Sequence, residues 1–460
     1  MKHNLVARQL GLAGLALVLV ACNGLLLQTP PGTQTALVSA LSAVAGQTTA
    51  DITWTTSEPT THLLEYGTVS ATYTASTFQS STPDTSHAVS LTGLTEATTY
   101  YYRVWNFHSS LPDTVSAESS FSTSVSSPPT LTQKQRGVWI VGGLSTNSVG
   151  SVIAAVDLFD PVLNTWYTSV TTLPTPVSFA AASSWNGGLY IIGGLDSAGT
   201  LRNTVQIYNV AGDSWSTGTN MPAARANAYA ATVNGRIYVL GGTTLNAAAN
   251  PYTASNTTYE YTPGGTWNTK VNMAASYSER LLLPFNDAIY HLGGRTAATT
   301  VSTAHDGVAV TINGLTGATE VVLSTARTGI AGALYAPASG PALMAIVGGF
   351  TSLTATTGNF VAQSTTASPP TNAFQYLYYP FTAPATWQSP ASQYPLSIGF
   401  AAAALSGSKM YVFGGTTLVT AAASGLNNAY WFDLSSLGGG WTAAASLPAG
   451  RYGHAAVTVQ

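Results

Sequence analysis

Three arginines, Arg225, Arg327 and Arg451, occupy one recurring place in the chain, a lead-in position that follows a tryptophan by ten or eleven residues wherever the tryptophan is present. The six occupants of that place are Val177, Arg225, Tyr277, Arg327, Ile398 and Arg451, so arginine falls on every second repeat. If six repeats close into a ring, three guanidiniums sit about 120° apart around one mouth, each with a planar donor fork suited to an anion such as a carboxylate. The alternative is that each arginine bonds carbonyls of its own loop and ties the repeats together, since buried charge without partners is costly and backbone carbonyls are always near.

Tyr277 shares its lead-in with Glu279 and Arg280, and His454 follows Arg451 by three residues, so an acid and a base stand at similar places. The ligand-binding candidates are therefore Arg225, Tyr277, Arg327, Arg451 and His454. A general acid or base needs hydrogen-bond reach to a substrate, which residue order does not supply, so no catalytic residue is assigned. From residue 134 onward the histidines are His291, His305 and His454, without a short paired spacing or a cysteine beside them, and neither a metal nor another cofactor is expected. No P-loop, dinucleotide fingerprint or nucleophile elbow stands where a strand and helix would support it.

The elements that must position these residues repeat. Short apolar runs end in Gly142-Gly143, Gly193-Gly194, Gly241-Gly242, Gly293-Gly294, Gly348-Gly349 and Gly414-Gly415, with first glycines 51, 48, 52, 55 and 66 residues apart. An aromatic stands three residues before the first glycine in five repeats (Trp139, Tyr190, Tyr238, Tyr290, Tyr411), with Ala345 the exception. Trp166, Trp215, Trp267, Trp387 and Trp441 follow, large apolar wedges of the kind that fill gaps between twisted sheets. This pattern resembles the kelch repeat, whose period is roughly 50 residues per propeller blade. The resemblance covers residues 134–460 and implies a six-bladed β-propeller. The tail Arg451 to Gln460 matches the first strand of a blade, whereas Gly137-Val138-Trp139 begins at a second strand, so the two ends are expected to pair and remove an unpaired edge. The long interval from Gly349 to Trp387, with Pro369-Pro370, reads as a loop insertion.

Upstream, residues 36–123 alternate in short Thr- and Val-rich runs without helical period, the pattern of a small antiparallel sandwich. Ile52-Thr53-Trp54-Thr55 reads as a central strand with a core tryptophan. Leu94 to Val104 resembles the tyrosine-corner region of fibronectin type III domains; that likeness implies a corner role for Tyr100, its hydroxyl bonded back to the preceding turn, with Tyr102 and Val104 facing inward. Glu96 stands where that family usually has proline. The Ser/Thr/Pro-rich residues 124–133 read as a linker without a packed element. The fold class expected is thus all-β: a fibronectin type III-like sandwich, then a six-bladed kelch-type propeller.

Lys2 and Arg8 precede an apolar run from Leu10 to Ala21 that is too short to span a bilayer and reads as an export leader. Leu19-Val20-Ala21-Cys22 resembles the lipobox of bacterial lipoproteins, which implies cleavage after residue 21, lipidation of Cys22, a flexible tether over 23–35 and a membrane anchor. Asn23 stands where inner-membrane retention signals of that class place Asp, which favours the outer membrane. Cys22 is the only cysteine, so no disulfide is available to an exported chain. Copper radical oxidases with similar repeats use a cysteine cross-linked to tyrosine, which this chain lacks outside the leader.

Charged residues are 7% of the chain against roughly 25% in ordinary soluble domains, and the net charge is −3, with 14 Lys and Arg against 17 Asp and Glu. Without a basic footprint, nucleic acid is excluded as a partner. The expected function is a lipid-anchored envelope protein presenting its propeller to an envelope or extracellular protein or a glycan. The enzymatic alternative is a mutarotase or epimerase on an acidic sugar, resembling the kelch-type sialic acid mutarotase, with the three arginines holding the carboxylate.

Overall fold

The computed structural model describes residues 36–124, 128–245, 252–297, 300–301, 305–311, 314–317, 323–351, 370–379, 386–417 and 424–459; Cys22, the leader, the tether and most of the predicted insertion lie outside them. No helix among these residues is long and apolar enough to cross a membrane.

The first domain is built from β1 (Val38–Ala45), β2 (Thr49–Gly67), β3 (Ala75–Thr92), β4 (Thr99–Phe107), β5 (Thr114–Val115) and β6 (Ser119–Ser122). Strands run in the order β1-β2-β4-β5, with β3 pairing β2 and β6 pairing β4. Period-two alternation turns Ile52 and Trp54 of β2 and Tyr100, Tyr102 and Val104 of β4 into one core with Val89 and Leu91. The Tyr100 hydroxyl accepts the Thr95 backbone N–H at 2.8 Å, which is the corner bond that the tyrosine-corner likeness implies.

The linker is not structureless. Its end forms α1 (Leu131–Arg136), nucleated by a reciprocal capping box between Thr130 and Gln133. Thr130-x-x-Gln133 is the signature of that box, and it outweighs the Pro128-Pro129 break because prolines are tolerated just ahead of a first turn. Helix α1 is stapled down: the Trp139 indole donates to the Lys134 carbonyl at 2.9 Å, Arg136 Nε donates to Asp160 at 3.1 Å, and Lys134 Nζ reaches Asp213 at 2.6 Å.

The remainder is a β-propeller. Its opening blade pairs the C-terminal strand Ala455–Thr458 with β7 (Val138–Val141), followed by β8 (Ala155–Asp160) and β9 (Thr165–Thr172). The register runs from Ala455 opposite Val141 to Thr458 opposite Val138, so both ends of the propeller segment lie in one sheet. Four further four-stranded blades start from the inner strands Ala181–Trp185, Tyr229–Val233, Leu281–Phe285 and Ala402–Ser406. A three-stranded sheet, Ala331–Tyr335, Leu343–Val347 and Phe374–Tyr378, stands between the last two of these. Beyond its outer strand there is a single bridge, Tyr376 to Gln388, and the Gln393 side chain accepts the Phe374 N–H at 2.8 Å. Inner strands of successive sheets touch, and the circuit returns from Ala402–Ser406 through Ala455–Thr458 to Ala181–Trp185.

Tryptophans join neighbouring blades as wedges with a polar handle. Trp166 donates to the Ala445 carbonyl at 2.8 Å, Trp215 to the Thr171 hydroxyl at 2.8 Å and Trp267 to the Thr219 carbonyl at 2.7 Å, each across to the preceding blade.

The glycine doublets have a steric cause. At Gly194 φ is +98°, and a Cβ would meet the Ser178 carbonyl and the Val177 Cβ, both at 2.9 Å. Gly194→Ala should therefore cost about 2–4 kcal/mol in urea unfolding, combining left-handed strain with overpacking. Gly187→Ala, at φ +73° with nothing within 4 Å, should cost only about 1 kcal/mol. Equal losses at the two sites would remove the packing explanation.

Candidate functional site

The inner strands enclose a cavity of about 260 Å³ walled mainly by small residues, Ala182, Ala230, Gly332, Ala403 and Ala456 among them. The lead-in residues sit at the strand starts that open onto it. The second glycine of each doublet donates its N–H to the lead-in carbonyl of the next sheet: Gly143 to Val177, Gly194 to Arg225, Gly242 to Tyr277, Gly294 to Arg327, Gly349 to Ile398 and Gly415 to Arg451. These latches, 2.7–3.3 Å long, hold neighbouring sheets at a fixed angle.

Two residues beyond each lead-in lies a second ring: Phe179, Asn227, Glu279, Gly329, Phe400 and Gly453, all with φ between +50° and +63°. Five of its six steps carry a backbone bond from one member's N–H to the preceding member's carbonyl: Phe179 to Gly453, Asn227 to Phe179, Glu279 to Asn227, Phe400 to Gly329 and Gly453 to Phe400. A left-handed bulky residue such as Phe179 is strained alone and persists because its surroundings determine it. Phe179 and Phe400 line the cavity and pack with Phe350, Tyr452, Leu144 and Leu195, so an aromatic cluster covers this end.

The three arginines are buried, 2% exposed at Arg225 and 1% at Arg327 and Arg451. Arg225 Nη1 donates to the Gly241 carbonyl at 2.7 Å, Nη2 bonds the Thr257 hydroxyl, and the guanidinium lies 4.6 Å over the Tyr259 ring. Arg327 Nη1 donates to the Gly348 carbonyl at 3.0 Å and to that of Ala373 at 3.3 Å, and its Nη2 bonds Gln375. Arg451 Nη1 reaches the Gly142 carbonyl at 3.5 Å, and Nη2 pairs with the Asp157 carboxylate, itself 2% exposed. Each arginine thus joins its lead-in, the first glycine of its own doublet and the start of the third strand. Burial lowers all three pKa values, Arg327 to about 10, and the Asp157 charge opposes the fall at Arg451. None of the three lines the cavity.

Where the lead-in is Tyr277, the tie has moved three residues along. Arg280 Nε donates to the Gly293 carbonyl at 2.7 Å, and its guanidinium lies 3.6 Å from the Tyr277 ring. The residue order held this signal, an arginine three positions late in the one repeat with tyrosine. Glu279, 3% exposed, takes both Arg295 donors and the Thr328 hydroxyl. His454 borders the cavity, and neither ring nitrogen has a well-formed hydrogen bond among the described residues. Burial, with the Arg451 charge close by, drives its pKa down to about 3, so the ring is neutral at physiological pH.

Comparison with known proteins agrees with this geometry. Residues 176–222 match the family described as Kelch motif, and residues 39–123 match the one described as Purple acid Phosphatase, N-terminal domain, which has a fibronectin III-like fold. The chain is similar to Beta-scruin of Limulus polyphemus, 30% identical over 115 residues that cover 24% of this chain and 12% of that protein. It is also similar to Kelch-like protein 35 of Mus musculus, 34% identical over 90 residues, 20% of this chain and 16% of that one. Among solved structures, "Structure of YjhT" superposes with a TM-score of 0.51 at 14% identity, covering 67% of this chain and 97% of that chain. The matched segments support a kelch-type propeller behind a fibronectin III-like domain.

Proposed function

We propose that this chain is a protein-binding scaffold in which a six-bladed propeller is held away from a membrane by the sandwich. The observation that carries the reading is the closed circuit of inner strands with its six doublet latches, and in this proposal the three-stranded sheet counts as the sixth blade. Latched doublets turn the loops that follow them into one rigid platform, and rigid platforms lose little entropy on binding. Two of those loops carry their own hairpins, Thr243–Leu245 with Tyr252–Ala254 and Arg295–Ala297 with Thr300–Val301. The kelch matches favour a protein as the partner.

Anchoring through a lipid on Cys22 after export, at the outer membrane, is the second half of the proposal and rests on the leader and its lipobox-like end. The mutarotase or epimerase alternative requires guanidiniums free to grip a carboxylate. Here the three forks are occupied by their own blades, and nothing favours that chemistry.

Cross-linking in intact cells tests both halves. The wild-type chain should capture a defined envelope protein, a variant with the 243–254 hairpin replaced by a two-residue turn should lose it, and Cys22→Ser should release the chain from membranes. Equal capture by the wild type and the hairpin variant would sink the platform, and a membrane-bound Cys22→Ser chain would sink the anchor.

A further inference from the structure

The sandwich core contains a polar cluster that its apolar surroundings do not call for. Strand β2 supplies Trp54, Thr56, Thr60 and His62, β3 supplies His87 and β4 supplies Asn106, and each is at most 5% exposed. His62 Nδ1 and His87 Nδ1 are 3.1 Å apart, and His87 Nε2 meets the hydroxyls of Thr56 at 3.0 Å and Thr60 at 3.2 Å. The Trp54 ring stacks on His87 at 5.0 Å and meets His62 edge-on at 4.9 Å, while its indole N–H donates to Asn106 Oδ1 at 2.9 Å.

The hydrogen bonds assign the protons. The Thr56 hydroxyl donates to the Glu58 carbonyl at 2.8 Å, and the arrangement that satisfies it has His87 Nε2–H donating to Thr56. His87 Nδ1 is then bare and accepts from His62 Nδ1–H. That leaves His62 Nε2 as a bare acceptor, buried and without a partner among the described residues. Opposite it in the strand register stands Asn106, whose amide nitrogen is likewise buried and unpartnered. An added proton has two places to go. On His87 Nδ1 it sets two N–H groups against each other; on His62 Nε2 it creates a buried charge at an atom with no hydrogen-bond partner among the described residues. Asp84 of β3 acts on His87 and is itself exposed, already accepting the N–H groups of Thr85 and Ser86. Trp54, Thr56, Thr60 and Asn106 bring no charge.

We propose that the His62–His87 pair is an acid-sensitive latch that holds β2, β3 and β4 together at neutral pH and releases them in mild acid, whatever the propeller binds. Burial lowers the pKa of both rings; at His62 the neighbouring His87 adds to the fall, and at His87 the Asp84 charge opposes it. Free imidazole titrates near about 6.5, so the unfolded chain takes up protons that the folded pair refuses, and stability is full above about pH 6.5 and drains below it. Between pH 7.5 and 5.0 each refusing ring multiplies the opening constant by at most about 30, and the pair by at most about 1,000.

The test uses the full chain with isotope-labelled histidine rings, titrated by NMR, and hydrogen exchange at the Leu64 and Val104 amides corrected for intrinsic rate. His62 and His87 should titrate below 6.5, and exchange-competent opening should rise steeply between pH 7.5 and 5.0, by at most about 1,000-fold. His87→Gln keeps a donor for Thr56 and an acceptor for His62 while removing one titration, so its rise should shrink to at most about 30-fold. If that variant does not fold, the wild-type ring titrations decide. Either ring titrating at or above 6.5, or an undiminished rise in a folded His87→Gln chain, overturns the latch.

Discussion

Deletion of residues 455–460 is expected to abolish cooperative unfolding of the propeller and drive the chain into aggregates. The lost strand pairs with Val138–Val141 along its whole length and packs Val457 into the core shared with the following blade. Without it, β7 becomes an open apolar edge, the template that circular sheets avoid. The loss should be on the order of 5 kcal/mol or more, comparable with the entire stability of a typical domain. Size-exclusion chromatography and thermal melting measure it directly, and a synthetic peptide of residues 449–460 should restore solubility by filling the vacant place. A monodisperse truncated chain with an unchanged melting temperature would show that the ring does not depend on its C-terminus.

The second large effect is expected at Arg451. Arg451→Leu removes one half of a pair in which both members are almost fully buried, leaving Asp157 as an uncompensated charge beside the Gly142 carbonyl. Losing one partner of such a pair costs about 3–5 kcal/mol, whereas replacing both costs far less. Arg451→Leu with Asp157→Leu should therefore recover more than half of the loss, although the Ser169 N–H, which donates to Asp157 at 2.7 Å, then goes unpaired. Chemical denaturation of the two variants checks this. A single mutant destabilised by less than about 1 kcal/mol would mean that the arginine is not the tie its contacts describe.

Repetition made the blades legible in the residue order. The doublets, the aromatic ahead of them and the wedge tryptophans recur in phase, and a period that survives six copies cannot be a local accident. Pairing of the chain ends followed from a missing first strand at one end and a surplus one at the other. The tyrosine corner was readable because Tyr100, Tyr102 and Val104 keep strict alternation. Helix α1 was obscured by Pro128-Pro129, whose loop signal outweighed a six-residue element with a single capping box. The arginine partners were hidden for a different reason: backbone carbonyls carry no sequence label, so the Gly241, Gly348 and Gly142 oxygens come into view only in three dimensions. The His62–His87 pair shows no spacing signal either, because its members are 25 residues apart on different strands and meet only through the β2–β3 register.

Helix α1 also settles how tension would travel through the molecule. It is fastened to the opening blade at Asp160 and, through Lys134, to Asp213 in the turn of the next. The opening blade joins the first strand of the propeller segment to the C-terminal strand, and the ring closes without a covalent link at the junction of that strand with β7. A pull arriving from the N-terminal side is divided between two blades before it reaches that junction, and it loads the ladder there in shear along the strands, where several bonds must fail together, instead of peeling them one by one.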